Sequence, residues 1–132
     1  MPACPKPPTR YQQKADAAKT LAAHEREVWH AVDVRDGCAC RVCGTFCAPR
    51  AIGMLHRPHR HHLVYRKPRG GKPSGETTSG NLVTLCASCH DAEHRHELRL
   101  TGDADWRDEL GRLAGVKVER VGESGWTVEK FV

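Results

Sequence analysis

At 132 residues the chain has the length of one domain, and 39% hydrophobic with 5% aromatic residues is thin material for a self-sufficient core. Seven cysteines offer another staple, but their odd number and the lack of a secretory signal argue against a disulfide framework, and no apolar run approaches transmembrane length. A reducing, cytoplasmic setting and no membrane partner are expected. The formal charge is +5, and from Gly37 to Gly75 there is no Asp or Glu but eight Lys or Arg. The remainder then sums to about −3, so positive charge is concentrated in the middle third, as expected of a chain that meets a polyanion.

Met1 to Pro8 is proline-rich and polar, and residues 1–13 are expected to be a flexible tail ahead of a single domain over 14–132. Lys14 to Arg35 repeats Ala18, Leu21, Ala22, Val28, Trp29 and Val32 near a 3.6-residue period, which predicts an amphipathic helix ended by Asp36-Gly37. Cys38 to Cys47 is too rich in Cys and Gly for a regular element and suits a metal knuckle. Ala51–Leu55 and His61–Tyr65 are expected strands, and Arg66 to Gly80, dense in Gly and Pro, a flexible basic loop. Leu82–Leu85 predicts a compact strand and Ala87 to about Glu97 a polar helix. Beyond it come a strand at Leu98–Leu100, a short helix at Trp106–Leu113, and a hairpin pairing Val116–Val121 with Trp126–Phe131. In that hairpin Val116, Val118, Trp126 and Val128 are expected to form one buried face that caps the core.

Cys40-x-x-Cys43 and Cys86-x-x-Cys89 are two pairs, each spaced so that both thiolates of a tight turn reach one ion. Four such ligands make a structural zinc site whose binding free energy becomes folding free energy. A redox reading would need a βαβ context and one pair instead of two. Cys38 and Cys47 flank the first pair and are competing ligands, although no second pair sits at their spacing; Cys4 lies in the tail.

The residues placed to carry chemistry are His61, His62, Asn81, His90 and His94. Neighbours on a strand point to opposite faces, so His61 and His62 need a local twist or must serve different roles. His90 and His94 are four apart on the predicted helix and share one face, within reach of one metal. Cys89 is turned from His90 by about 100°, so one helix can feed two metal sites. His24, His30, His56, His59 and His96 read as surface or packing residues.

In this order and frame the sequence resembles the HNH endonuclease family. The resemblance lies in Cys40-Arg-Val-Cys43, His-His-Leu at 61–63, Gly-Asn-Leu-Val-Thr-Leu-Cys at 80–86 and Cys-His-Asp-Ala-Glu-His at 89–94, covering roughly residues 25 to 98. It is similar in particular to short HNH proteins of phages and prophages, and shares the His-x-x-x-His ending of colicin-type DNases. The resemblance implies an α+β fold with a ββα-metal core, zinc knuckles, an N-terminal helix and a C-terminal hairpin over 99–132. It implies the catalytic pair His62, as general base, and Asn81, bracing the loop that aims His62. His61, His90 and His94 would bind the catalytic divalent ion, with His61 where many relatives carry Asp. The long loop from Arg66 to Gly80 departs from the family pattern.

The implied activity is a metal-dependent DNA endonuclease in a bacterial or phage-infected cell, nicking double-stranded DNA with low sequence specificity and leaving 5′-phosphate and 3′-hydroxyl ends. Arg57, Arg60, Arg66, Lys67, Arg69 and Lys72 are expected to track phosphates. Imidazole ligands suit Zn²⁺, Ni²⁺, Co²⁺ or Mn²⁺ better than Mg²⁺, so broad use of divalent ions is expected, Mg²⁺, Mn²⁺, Ni²⁺ or Zn²⁺ serving as the catalytic one, and no small-molecule cofactor. With one active site and no dimer signature, a monomer is favoured. The rival class is a non-catalytic zinc module that only binds nucleic acid; it explains the cysteines and the charge but gives the five site residues no reason. RNA cleavage is a remoter option.

Overall fold

The structure is a computed structural model and describes residues 3–48, 57–66, 74–75 and 77–132. Thr9 opens the first helix: its hydroxyl accepts from Gln12 N at 3.2 Å, and Gln12 Oε1 accepts from Thr9 N at 2.7 Å. This reciprocal cap lies upstream of the apolar repeat, so α1 runs Arg10–Asp36 and starts before the expected Lys14. Gly37, at φ 62°, closes it in the left-handed region, as the Asp-Gly pair predicts.

The expected apolar face of α1 is not a buried one. Val32 is its one buried residue, while Leu21 is 58% and Trp29 37% exposed. At about 1.5 Å per residue the helix is some 40 Å long, and it packs on β4 and the adjoining 3-10 turn.

Next in chain order come β1 (His59–His62), β2 (Tyr65–Arg66), β3 (Ser74–Gly75), a 3-10 turn (Ser79–Asn81), β4 (Leu82–Leu85), α2 (Ala87–His94), β5 (Leu98–Gly102), β6 (Val116–Gly122) and β7 (Gly125–Phe131). Among the described residues three small antiparallel sheets result: β1 with β4, β2 with β3, and β5-β6-β7. The expected strand at His61–Tyr65 instead begins at His59 and stops at His62, because the chain bends at 63–64 before β2. Part of the expected basic loop is ordered, since Tyr65 and Arg66 pair with Gly75 and Ser74. The strand expected at Ala51–Leu55 lies outside the described residues.

Register decides what each face of the first sheet meets. His61 pairs with Val83 and His59 with Leu85, while His62 pairs with Leu82 and Arg60 with Thr84. Directly opposed residues share a face, so His59 and His61 lie on one side and Arg60 and His62 on the other. The first side meets α2, where His59 and His61 contact His90. The second meets α1, where Arg60 pairs with Asp33 at 2.7 Å and stacks on Trp29 at 5.3 Å.

A two-stranded sheet leaves open edges whose backbone groups need partners. On β4 they find side chains: Arg35 Nη2 donates to Leu82 O at 2.6 Å, and Asp36 Oδ2 accepts Thr84 N at 3.0 Å. Arg41 N then donates to Thr84 O at 2.9 Å. The end of α1 and the first knuckle thus finish a sheet too small to finish itself.

The main core joins Cys40, Val42, Cys47, Cys86 and Cys89 to Val83, Leu85, Leu98, Leu100, Val116 and Val118. No helix forms at Trp106–Leu113. Asp108 Oδ1 captures the N–H groups of Leu110 and Arg112, Gly111 takes φ 77°, and Arg107 bridges to Leu113, giving a closed turn. The C-terminal hairpin forms as expected, with a bulge at Val118/Glu119. Its expected single buried face does not: Val116 and Val118 are buried, but Trp126 and Val128 remain 38% and 48% exposed on the sheet's other side.

Candidate active site and metal centre

Four thiols converge where the first knuckle meets the start of α2. The Sγ atoms of Cys40, Cys43, Cys86 and Cys89 all lie within 4.8 Å of one another, and those of Cys43 and Cys86 are 3.6 Å apart. A tetrahedral zinc ion with Zn–S near 2.3 Å would set its sulfurs about 3.8 Å apart, so the donor set fits. Cys86 also caps α2, its Sγ accepting from Cys89 N at 3.4 Å. Burial pushes the Cys40 and Cys89 thiols up. At Cys43 burial is outweighed by hydrogen bonds from Thr45, Cys40 and Cys86, which bring the thiol down to about 6. A divalent cation is the compensation that lets buried thiolates persist together. Cys38 and Cys47 do not join this group.

The histidines gather on a different face of α2 from Cys89, turned about 100° from it at His90. His90 Nε2 and His94 Nε2 are 3.1 Å apart with perpendicular rings, a separation that one ion with metal–nitrogen bonds near 2.1 Å can span. The His61 ring stands edge-on to His90 at 6.1 Å between centroids, and its Nδ1 lies 3.6 Å from Glu93 Oε2. That orientation turns Nδ1 toward a carboxylate, the position that a carboxylate partner takes at many metal-bound histidines. Burial first, then the neighbouring His90, His94 and His62, lower the His61 pKa to about 4, so at neutral pH its ring is uncharged. His90 is lowered as well, by burial and by His94 and His59.

His62 ends β1 on the face turned toward α1, half-buried, with its pKa lowered by burial against the opposing charge of Glu25. Immediately after it the backbone is held by Asn81. Asn81 Oδ1 accepts from Val64 N at 2.9 Å, its Nδ2 donates to Val64 O at 3.1 Å, and its backbone carbonyl accepts from Leu63 N at 2.9 Å. A side-chain amide can satisfy a peptide N–H and C=O at once, which is why an Asn suits this position.

Arg57 is exposed beside the histidine strand, whereas Arg60 is tied to Asp33 and Trp29 of α1. Arg66 belongs to β2; Lys67, Arg69 and Lys72 lie outside the described residues.

Two contacts were not singled out from sequence. His59, read above as surface, stacks on His90 with ring centroids 4.7 Å apart; its i, i+2 spacing from His61 on a strand was the available signal. Glu93 sits one turn past His90 and would have been found by asking which carboxylate shares that helical face.

A family model for the HNH endonuclease matches residues 40–96, from the first knuckle cysteine to just past His94. Residues 40–96 are an HNH endonuclease domain. HNH endonucleases are phosphodiester hydrolases that act on nucleic acid with a divalent metal, and residues 40–96 here hold a four-cysteine cluster suited to zinc. No curated protein and no solved structure matches the chain. The HNH domain contains both knuckles, β1, β4 and α2, whereas α1 and the C-terminal sheet lie outside it. Among the described residues no helix is long and apolar enough to cross a membrane.

Proposed function

We propose that the chain is a metal-dependent DNA endonuclease that nicks double-stranded DNA with low sequence specificity. The observation that carries this reading is the convergence of β1 and α2, which brings the His61 ring 6.1 Å from His90 and the His90 ring 4.4 Å from His94, while Asn81 grips the backbone next to His62. In this reading His61, His90 and His94 hold the catalytic ion. A divalent ion there would supply positive charge for the phosphate and the leaving oxygen as the bond breaks.

The chain's own residues do the rest. His62, uncharged at neutral pH, accepts the proton of the attacking water. Asn81 fixes the bend at 63–64 so that the His62 ring keeps one orientation. Glu93 holds His61 in the tautomer that ligates through Nε2. Arg57 and the basic run from Arg66 to Lys72 contact phosphates, which positions a strand without reading its sequence. Cys40, Cys43, Cys86 and Cys89 hold the structural zinc that fixes α2.

The test uses supercoiled plasmid with wild type and His62→Ala in Mg²⁺, Mn²⁺, Ni²⁺ or EDTA. Metal-dependent nicking that the variant loses, with fold and zinc retained, is the expected result. Plasmid binding without cutting in every ion would leave a nucleic-acid-binding module instead.

A further inference from the structure

Arg35 stands in the last turn of α1, outside residues 40–96, with its side chain 8% exposed. Its Nη1 donates to Ser79 O at 2.5 Å and its Nη2 to Leu82 O at 2.6 Å, the carbonyls on either side of the Asn81 turn. Nε and Nη2 also donate to Asp36, at 2.7 and 2.9 Å, and Nη1 to Asp105 Oδ1 at 2.8 Å. The other oxygen of Asp105 accepts the Ser79 hydroxyl, closing the clamp from outside.

The turn held this way carries Asn81, and Asn81 in turn grips Val64, two residues beyond His62. Leu82, whose carbonyl Arg35 holds, is the residue paired across the sheet from His62. A planar guanidinium can meet two carbonyls and two carboxylates at once; an ammonium, a compact point charge, cannot span them.

We propose that Arg35 is a positioning residue for strand cleavage, acting through Asn81 on the backbone that aims His62, with Asp105 as its outer anchor. The inference rests on the reading of His62 as the base and Asn81 as its brace. A purely structural ion pair would instead affect folding alone.

The experiment measures plasmid nicking, amide exchange at Val64 and zinc content in zinc-loaded wild type and in Arg35→Lys, Asp105→Asn, Asn81→Ala and the double variants with Asn81→Ala. Arg35→Lys is expected to lower kcat about tenfold at unchanged KM and to speed Val64 exchange by about the same factor, with zinc retained. Asp105→Asn acts in the same direction, by about threefold. Adding either substitution to Asn81→Ala lowers kcat no further than about twofold, since the brace is already gone. Arg112→Ala, which breaks an exposed ion pair with Asp108, serves as the control and keeps full activity.

Losses that multiply in the double variants, or unchanged kcat and Val64 exchange in the single ones, overturn the relay while leaving the Asn81 reading intact. Full kcat in Asn81→Ala overturns the reading of Asn81 and the relay with it. Should Arg35→Lys not fold, Asp105→Asn and its double variant decide by the same criteria.

Discussion

Among single residues, the histidines of the HNH domain divide by which face of a two-stranded sheet they occupy. His59 and His61 turn toward α2 and its two histidines, while His62 turns toward α1. The residues proposed as ligand and as base can therefore be tested separately. His62→Ala is expected to lower kcat by about 10²- to 10⁴-fold, the range for a lost general base, while calorimetric Ni²⁺ affinity at the histidines stays near wild type. Glu93→Ala should show the reverse pattern: the carboxylate 3.6 Å from His61 Nδ1 is gone, and Ni²⁺ affinity falls by about 10- to 100-fold. A Glu93→Ala protein with unchanged affinity would mean that His61 is oriented by something else. His90 and His94 are legible from sequence because i, i+4 on a helix is a geometric statement in itself. The partner of His61 is not, because it depends on how a helix settles against a strand.

Elements too small to satisfy their own backbone are completed here by a shared acidic centre. The Asp36 side chain is fully buried and accepts from Arg35, Arg41 and the Thr84 amide, tying α1, the first knuckle and β4 together. Burial alone would raise its carboxyl pKa, but those hydrogen bonds and the Arg35 and Arg41 charges outweigh it and hold the group below the usual carboxylate value. A folded value below the unfolded one means that the stabilisation is complete above about pH 4 and is lost as pH falls through the folded value. Asp36→Ala, which takes the buried carboxylate from between Arg35 and Arg41, should cost roughly 3–5 kcal/mol in urea unfolding of the zinc-loaded protein. Asp36→Asn should flatten the acid limb of stability against pH; an unaltered limb would assign that limb to other carboxylates. The strand Leu82–Leu85 and the helix after it are readable in the sequence from their apolar run and their cysteine start. The Arg35 clamp is not, since its acceptors are backbone carbonyls, which carry no residue identity. The expected helix at Trp106–Leu113 failed for a related reason, its N–H groups being taken by the Asp108 side chain.

For the molecule as a whole, the four-cysteine cluster is part of the main core rather than an attachment to it, because Cys40, Cys86 and Cys89 pack with Val83, Leu85, Leu98 and Val118. Without an ion the cluster is four thiols facing one another, three of them buried. Stripping the zinc with a strong chelator, or making Cys86→Ser, should therefore collapse the near-ultraviolet circular dichroism of the entire domain, with refolding only when zinc is returned. Persistence of that signal without zinc would show that apolar burial suffices. The α1 helix is the counterpart to this dependence. Its amphipathic pattern in sequence reads as a buried face, yet Val32 alone is buried and the helix runs on past the sheet it completes. Among the described residues nothing in that arrangement adds a second site to the proposed one, and one site breaks one strand. Nicked plasmid should therefore build up before any linear form, and linear product should rise steeply with enzyme concentration, as two independent encounters require. The basic middle segment adds a second expectation: plasmid affinity should fall log-linearly with salt, with a slope near −0.9 per phosphate contact. Linear product appearing together with nicked product at low enzyme concentration would require a paired assembly that cuts both strands in one encounter.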